Sequence, residues 1–199
     1  MKLIWDKKVK RYRDARGRFA KPKWVLREVD KGIDTIQREM DTLTRRLINR
    51  EITLADWQAG TRDILKASHT LYASVGRGGY KQMTQSDWGR VGALTRRQYE
   101  KLNGFANDIE RGKLRTFKQI SNRSGQYLKA VRVSYYVNEQ RSQIEAGKTQ
   151  CARILRAAES CVECIAWSKK QKGFVDIQEM PPIGTLLCGQ FCKCYFEYR

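Results

Sequence analysis

The chain contains a single histidine, His69, and this scarcity limits the catalytic chemistry that it can support. A serine–histidine–carboxylate triad would have to use His69, yet the Gly-x-Ser-x-Gly turn that presents the serine in many hydrolases does not occur. Gly76, Gly78 and Gly79 lack the Gly-Lys-Ser/Thr ending of a phosphate-binding loop, so they are better interpreted as the end of a helix. We therefore predict that the protein is not an enzyme and has no small-molecule substrate.

Long apolar runs are also absent. No segment approaches the roughly 20 consecutive apolar residues that a membrane span requires. The first residues, Met-Lys-Leu-Ile-Trp-Asp, lead directly into lysines without the apolar stretch of a secretion leader. We expect a protein without a membrane partner that is made in a reducing cytosol, where cysteines bind metals or stay free more often than they form disulfides.

Acidic residues are few relative to basic ones, since 21 Asp and Glu against 40 Lys and Arg give a formal net charge of +19. The excess is densest in residues 1–27, which carry 11 basic and two acidic residues. Such an arm attracts nucleic acid or another polyanion by counterion release, and we expect it to be extended and without structure of its own until it binds. The predicted polyanion- or partner-binding residues are Lys7, Lys8, Lys10, Arg11, Arg13, Arg16, Arg18, Lys21 and Lys23. A tail that only keeps the protein in solution is the alternative, and no base-reading motif accompanies the arm.

Apolar residues at intervals of three and four predict long amphipathic helices in the helical body, residues 28–149. Thr53 and Asp56 have the spacing of a capping box at one helix start. The four predicted helices extend over about 25–48, from Thr53 to Gly76, from Thr84 or Ser86 to Gly112, and from Ser124 to Glu145 after a break at 115–122. Long helices with short connections are typical of a helical bundle or hairpin array, so the predicted fold class is mainly α.

The C-terminal residues 150–199 are predicted to form a small α+β knob. A fifth helix over 150–164 leads into the cysteines, and two short strands follow at 173–177 and 194–198. We expect the strands to form a hairpin that closes over a helix end and is stapled by cysteines, in the manner of a zinc ribbon.

Five of the six cysteines lie in the last 39 residues: Cys161, Cys164, Cys188, Cys192 and Cys194. Two cysteines separated by two residues chelate a thiolate-binding metal, and a second cysteine cluster can complete a tetrahedral site. We predict a structural zinc held by four of the five, Cys161 and Cys164 together with Cys188 and either Cys192 or Cys194. Reduced or partly disulfide-bonded cysteines are the alternative.

Two other cysteine chemistries are disfavoured. A thioredoxin-like redox site belongs in a βαβ unit, which does not precede Cys161. A zinc deaminase needs a His/Cys-x-Glu element upstream of its Cys-x-x-Cys, and His69 is followed by threonine and leucine. We therefore expect His69 to be an ordinary helix residue, and Cys151 to be a small buried apolar residue.

Several motifs occur in order across nearly the whole chain. They are Tyr12-Arg-Asp with Gly17-Arg-Phe19, Ile52-Thr-Leu-Ala-Asp-Trp57, Gly78-Gly79 followed by Trp88-Gly-Arg-Val-Gly92 and Gln98-Tyr99, and the ending Cys161-x-x-Cys164, Pro181-Pro-Ile-Gly184, Cys188-x-x-x-Cys192-Lys-Cys194. In these motifs the chain resembles the minor head, or head-morphogenesis, proteins of tailed bacteriophages, a family related to the Mu F protein. The ending, with Pro-Pro-x-Gly ahead of Cys-x-Cys, is the most specific of them.

The resemblance implies a virion structural protein present in few copies, in the capsid interior or at the portal vertex, and in the host cytoplasm during assembly. Its implied partners are the portal protein and the major capsid protein, with packaged DNA as a further candidate. The family's cysteines correspond to the same five cysteines of this chain. Because the chain ends directly after this module, no toxin-like effector domain is expected.

A zinc-containing nucleic-acid-binding module, in which the arm and the knob grip DNA together, is the alternative function. A zinc module that reads DNA should itself be strongly basic, but residues 151–199 carry seven basic and five acidic residues, a net charge of +2. The charge distribution therefore favours the virion structural role.

Overall fold

The computed structural model describes residues 3–199, apart from the side chain of Lys172, and the fold is mainly helical. Within this range the helices are α1 (Pro22–Ile48), α2 (Leu54–Arg77), α3 (Gln85–Glu110), α4 (Phe117–Glu145) and α5 (Val162–Lys169). The strands are β1 (Ile4–Asp6), β2 (Arg11–Arg13), β3 (Gln150–Ile154), β4 (Val175–Asp176) and β5 (Tyr195–Tyr198). The predicted fold class, a mainly α protein with a small C-terminal α+β knob that contains a cysteine cluster, is confirmed.

Capping boxes determine where α2 and α3 begin. The Thr53 hydroxyl accepts a hydrogen bond from the backbone N–H of Asp56, and the Asp56 carboxylate accepts one from the N–H of Thr53. Thr84 and Asp87 form the same reciprocal pair ahead of α3. Each box satisfies two backbone groups that a helix N-terminus would otherwise leave free, and both predicted helix starts are confirmed.

The start of α4 differs from the prediction. Thr116 and Gln119 form a third capping box, so the helix begins at Phe117 and includes residues 117–122, which the sequence pattern assigned to a break. The prediction was wrong because apolar periodicity is weak in this first turn, whereas the Thr-x-x-Gln cap determines the helix start.

Helices α2 and α4 pack against each other at the centre of the bundle, and α1 and α3 contact this pair. Trp57, Leu102 and Phe105 are almost completely buried between them. Gly76 permits the close approach of α2 to α4, because a Cβ at this position would collide with the carbonyl oxygen of Tyr135. Gly78, at φ +83°, ends α2 in the left-handed conformation, which confirms the predicted helix end.

The N-terminal segment forms a hairpin on the bundle. Strands β1 and β2 are antiparallel, with Trp5 opposite Tyr12 and their rings in edge-to-face contact at 4.8 Å. The Tyr12 hydroxyl donates to the carbonyl oxygen of Val75 at 2.7 Å, and the Gln143 amide donates to that of Lys10 at 2.7 Å. The expectation of an arm without structure of its own is therefore wrong for the described part, because these aromatic rings pack together and the hairpin bonds to the bundle. Met1 and Lys2, and with them the first residues of the predicted arm and the expected absence of a leader, lie outside the described residues.

Strand β3 lies at the centre of a C-terminal three-stranded sheet, with β4 and β5 antiparallel on either side of it. The predicted fifth helix over 150–164 is therefore wrong: residues 150–154 are a strand, and α5 begins only after Cys161. The two predicted strands exist in shortened form, but they flank β3 instead of forming a hairpin with each other. A short apolar run such as Cys-Ala-Arg-Ile-Leu fits helical and strand periodicity equally well, which explains the error.

One continuous hydrophobic core extends from the bundle into the knob. Tyr136 of α4, for example, meets Phe196 of β5 with ring centroids 6.3 Å apart. The division at residue 150 into separate units remains a prediction. Within residues 3–199, no helix combines the length and the apolar content needed to cross a bilayer.

Candidate metal centre

The five C-terminal cysteines are supplied by two segments of the knob. Cys161 is the N-cap of α5, and Cys164 lies in its first turn. Cys188 and Cys192 flank a short 3₁₀ turn over Gly189–Phe191, and Cys194 directly precedes β5. The cysteines are therefore carried by a helix start and a 3₁₀ turn, and regular elements position metal ligands more precisely than irregular loops do.

The sulfur atoms form two triplets that share Cys164. Cys161, Cys164 and Cys188 lie within 4.8 Å of one another, and so do Cys164, Cys192 and Cys194. Cys164 Sγ lies 3.5 Å from Cys188 Sγ and 3.9 Å from Cys192 Sγ. All five are free thiols, without disulfide bonds between them. The sequence-predicted residues are thus brought together, and the cluster could hold a metal ion.

The N-terminus of α5 supports a negative charge on Cys161. The backbone N–H of Cys164 donates a hydrogen bond to Cys161 Sγ at 3.4 Å. Burial alone would raise the pKa of the Cys161 thiol, but this amide and the neighbouring sulfur atoms outweigh it and lower the pKa. A helix N-terminus stabilises thiolates in general, and a thiolate is the form that binds metal.

Cys192 and Cys194 have opposite tendencies. The neighbouring Cys194 side chain, against the effect of burial, lowers the pKa of Cys192 to about 5. The same contact, together with burial, raises the pKa of Cys194. The two thiols of the Cys-Lys-Cys pair therefore differ in acidity, and Cys192 is the one that loses its proton more readily.

A buried arginine that the sequence analysis did not single out contacts the cluster. Arg153 on β3 is 1% exposed, and its Nη1 lies 3.7 Å from Cys164 Sγ and 4.0 Å from Cys192 Sγ. Its Nη2 donates to the carbonyl oxygen of Pro181, and the guanidinium lies over the Phe196 ring. Among the described residues, no carboxylate forms an ion pair with it. A buried cation without a counter-charge is unfavourable, and the Cys164 and Cys192 sulfur atoms are the nearby groups that supply such a charge when they are deprotonated.

Arg153 gave little signal in the sequence because its segment was assigned to a helix. In the strand, Cys151, Ala152 and Arg153 are consecutively buried, so alternation does not distinguish the arginine from its neighbours. An arginine within an apolar strand segment, shortly before a cysteine cluster, is the signal that could have identified it.

Glu163 connects the two segments that carry the cysteines. Its carboxylate accepts a hydrogen bond from the backbone N–H of Leu187 at 2.7 Å. Leu187 immediately precedes Cys188, so this bond fixes the second segment beside the first turn of α5. Glu163 thus acts on the backbone of the site.

The predicted polyanion-binding residues lie on the hairpin, in the segment that follows it and in the first turn of α1. All are exposed except Lys10 and Arg13, which are half-buried. The two acidic residues of this segment are paired within it, Asp6 with Arg13 and Asp14 with Arg18, each at 2.8 Å. Within the described residues, the other seven predicted cations form no ion pair. The hairpin therefore presents an ordered cationic surface.

His69 lies in the bundle core, away from the cysteines in sequence and in contact with α4. It is 1% exposed, its Nδ1 is 2.7 Å from Ser134 Oγ, and burial lowers its pKa. The expectation of an ordinary helix residue is confirmed, as is that of a buried Cys151.

Comparison of the chain with protein-family models, with curated proteins and with solved structures gave no match.

Proposed function

We propose that the protein is a non-catalytic structural protein of a tailed-phage virion, a minor capsid or head-morphogenesis protein that acts at the portal or the inner capsid surface. Its basic hairpin contacts packaged DNA or another virion protein, the portal or the major capsid protein. Its C-terminal knob is held together by a structural zinc ion. The observation that carries the proposal is the ordered basic hairpin. It is hydrogen-bonded to the bundle through Tyr12 and Lys10, and most of its cations are exposed.

The hairpin suits a polyanion because its charge is available and its backbone is ordered in advance. Seven predicted cations, four on the hairpin and three from its end through the first turn of α1, form no ion pair among the described residues, since both acidic residues of the segment are used internally. Binding therefore does not require these cations to break ion pairs. An ordered segment also loses less conformational entropy on binding than a disordered tail does.

Zinc suits the cysteine cluster because of its ligand type and its distances. A zinc–sulfur bond of about 2.3 Å gives tetrahedral sulfur–sulfur edges of about 3.8 Å. The Cys164 separations of 3.5 and 3.9 Å from Cys188 and Cys192 lie on either side of this value. Four thiolates leave no open coordination position for substrate or water, which supports a structural role for the metal.

A DNA-binding titration tests the contact made by the hairpin. Because each neutralised phosphate contributes about −0.9 to the slope of log K against log salt, reversing three cations should reduce the magnitude of that slope by about three. The variant is Lys7→Glu/Lys8→Glu/Arg16→Glu, measured by fluorescence anisotropy on duplex DNA. The matched control reverses three exposed cations of α3, Arg96→Glu/Arg97→Glu/Lys101→Glu. Equal losses in both variants would assign the affinity to overall charge instead of the hairpin.

The virion assignment needs a separate test. The protein, expressed together with the phage head genes, should co-sediment with proheads and mature particles and remain after external protease treatment. Its absence from both particles would overturn the assignment.

A zinc-containing nucleic-acid-binding module remains the second candidate, favoured by the same ordered cations. It predicts the hairpin-dependent DNA affinity but no recovery in particles.

A further inference from the structure

We infer that the stacked rings of Tyr80 and Trp88 bind the bases of single-stranded nucleic acid. Arg90 and Arg141, which meet at the neighbouring Asp87, contact its phosphates. The inference rests on the nucleic-acid contact of the proposed function and deepens it, because it specifies which form of nucleic acid the protein holds and adds a second surface to the basic hairpin.

Two aromatic side chains are stacked on each other at the surface of the bundle. The rings of Tyr80 and Trp88 have centroids 6.4 Å apart and planes inclined by 15°. Tyr80 begins a 3₁₀ turn after α2, and Trp88 lies in the first turn of α3. The side chains are 52% and 40% exposed. A large apolar area of both rings therefore remains in solvent, although its burial against a partner would be favourable.

The faces of these two rings are not covered by the protein's own cations. Other exposed aromatic rings are covered: the Arg13 guanidinium lies 3.9 Å from the centroid of Phe19, and the Lys129 ammonium lies 5.2 Å from that of Phe191. Among the described residues, no lysine or arginine lies over Tyr80 or Trp88 in this way. The pair is therefore available to a planar group from outside the chain, and nucleic-acid bases stack on such rings with little dependence on sequence.

An excess of guanidinium charge lies beside Trp88. The buried carboxylate of Asp87 has Arg77, Arg90 and Arg141 around it, at nitrogen–oxygen distances of 3.0, 3.6 and 3.2 Å. Glu145 pairs with Arg77, so three cations share two carboxylates. The side chains of Arg90 and Arg141 are 34% and 35% exposed, and a guanidinium has five N–H donors. A phosphate group would balance this charge with charge-assisted hydrogen bonds.

The stacked pair is next to the basic hairpin. The Trp5 ring of the hairpin lies against Gly78, where a Cβ would collide with it, and Tyr80 follows two residues later. The hairpin turn begins two residues after Trp5 with Lys7 and Lys8, which are exposed. The aromatic pair is thus flanked by cations of the hairpin and by the arginines at Asp87. This charge favours a polyanion over an apolar protein surface as the occupant.

The kind of contact selects single strands. In a duplex the bases are stacked on one another and expose their edges alone, whereas unpaired bases can be splayed out onto aromatic side chains. Phosphate contacts of the hairpin do not make this distinction, because both forms carry the same backbone charge. Tyr80 and Trp88 should therefore contribute to the affinity for single strands and not to that for duplex DNA.

Exchanging the rings for apolar side chains tests the stacking contact. Because stacking on an aromatic side chain contributes about 5–150-fold in affinity per base, Tyr80→Leu/Trp88→Leu should weaken binding of an oligothymidylate of about ten nucleotides at least about fivefold. Tyr80→Phe/Trp88→Phe keeps both rings and should retain most of the affinity. Fluorescence anisotropy on the full-length proteins measures both variants, and circular dichroism checks their folding. Phe191→Leu, which removes a ring that is 53% exposed in the knob, is the matched control and should bind as the wild type does.

Two further measurements identify the contact more directly. A base stacked on Trp88 should quench its fluorescence, so Trp88→Phe should lose this quenching on addition of the oligonucleotide while retaining most of the affinity. An abasic strand of the same length should bind more weakly and equally well to the wild type and the leucine variant. Arg90→Gln should reduce the magnitude of the slope of log K against log salt by about 0.7, the contribution of one phosphate in a single strand. Arg96→Gln, at an exposed position of α3, is its control.

The outcomes separate this inference from the proposal beneath it. Equal affinity of the wild type and the leucine variant for the oligonucleotide, or an equal loss for duplex DNA, would overturn the stacking site and leave the hairpin contact intact. A wild type that binds neither the oligonucleotide nor duplex DNA would overturn the nucleic-acid contact of the proposed function itself. Loss of the leucine variant from proheads without loss of oligonucleotide affinity would assign the surface to a virion protein and overturn the inference.

Discussion

The hydroxyl of Tyr136 on α4 donates a hydrogen bond of 3.1 Å to the carbonyl oxygen of Cys194. Both residues are buried, and the Tyr136 ring also packs edge-on against Phe196 of β5. The contact joins the bundle to the end of the cysteine cluster. The position of β5, and of the two cysteines before it, therefore depends on packing that the knob alone does not supply.

Removing the Tyr136 hydroxyl should destabilise the whole protein. Tyr136→Phe leaves a buried carbonyl oxygen without its donor, at an expected cost of about 1–3 kcal/mol in the free energy of unfolding. Urea titration followed by circular dichroism measures this cost. Tyr80→Phe, at a residue that is 52% exposed, is the matched control and should change stability little. Equal effects in the two variants would contradict a structural role for the contact.

Metal removal should destabilise the knob. Because a ligand that binds only the folded state stabilises it, stripping zinc with a strong chelator should lower the thermal midpoint, and adding zinc back should restore it. The Cys164→Ser variant lacks the cysteine that both sulfur triplets share, so its thermal midpoint should respond weakly to zinc. A wild-type midpoint that is insensitive to both chelator and zinc would speak against a structural metal.

Protonation of the buried Glu139 carboxylate should make the protein more stable in mild acid than at neutral pH. Burial raises the pKa of Glu139 to about 7, although hydrogen bonds from the Tyr135 and Tyr198 hydroxyls act in the opposite direction. Since the folded-state pKa lies above the ordinary value of 4.5, the protonated form stabilises the fold below pH 4.5, and this contribution is lost as pH rises through 7.

The substitution Glu139→Gln isolates this effect. Relative to the wild type, the variant should gain stability between pH 5 and pH 8, by at most about 3 kcal/mol. Urea titrations across that range measure it, with Glu110→Gln at an exposed helix end as the control. Parallel pH profiles of the wild type and Glu139→Gln would contradict the prediction.

The contribution of Asp87 to the free energy of unfolding should depend on pH in the opposite direction to that of Glu139. It is fully buried, and its carboxylate pairs with Arg77 at 3.0 Å and with Arg141 at 3.2 Å. Burial alone would raise the pKa of Asp87, but hydrogen bonds from Thr84 and these two arginines outweigh it and lower the pKa. Its stabilising contribution is therefore present above the ordinary value of 3.8 and is lost as pH falls through the lower folded-state pKa.

Replacing this carboxylate should be costly at neutral pH. Among the described residues, Asp87→Asn leaves the buried Arg77 with Glu145 as its one anionic partner, and breaking a buried pair in this way costs about 3–5 kcal/mol. Chemical denaturation at pH 7 and at pH 3 should show the difference from the wild type shrinking in acid. Asp63→Asn, at an exposed position of α2, should change little at either pH.

The bundle was the more predictable half of the chain because its signals are local. The Thr53 and Thr84 caps and the Gly78 helix end are encoded within four residues of the boundaries that they set. The sequence also identified the cysteine cluster, since Cys-x-x-Cys is a chelate on its own. The function and the partners remain predictions, because no contact or distance in the described residues is specific to a phage particle.

The features that the sequence did not reveal depend on long-range contacts. Whether residues 150–154 form a helix or a strand is decided by pairing with β5, some 45 residues later, whose register matches Cys151 with Tyr198. The hairpin is ordered by its bonds to Val75 and Gln143 on the bundle. The contact of Arg153 with the cysteine cluster could not be predicted either, because the fold alone brings Cys164 and Cys192 next to its guanidinium.

Gly76 should be intolerant of even a methyl group, although it lies inside a helix. An exposed helical glycine usually gains about 0.5–1 kcal/mol when replaced by alanine, because alanine loses less backbone entropy on folding. At Gly76 the added Cβ would collide with the Tyr135 carbonyl oxygen and would also lie 2.9 Å from the Glu139 amide nitrogen, so α2 and α4 would have to separate. We expect Gly76→Ala to cost about 1–3 kcal/mol, as overpacking does elsewhere. Gly92→Ala in α3, where no atom lies within 4 Å of the added Cβ, is the matched control and should stabilise the protein. Because the same chemical change is expected to have opposite signs at the two sites, stabilisation by both would mean that α2 and α4 are not in backbone contact at Gly76.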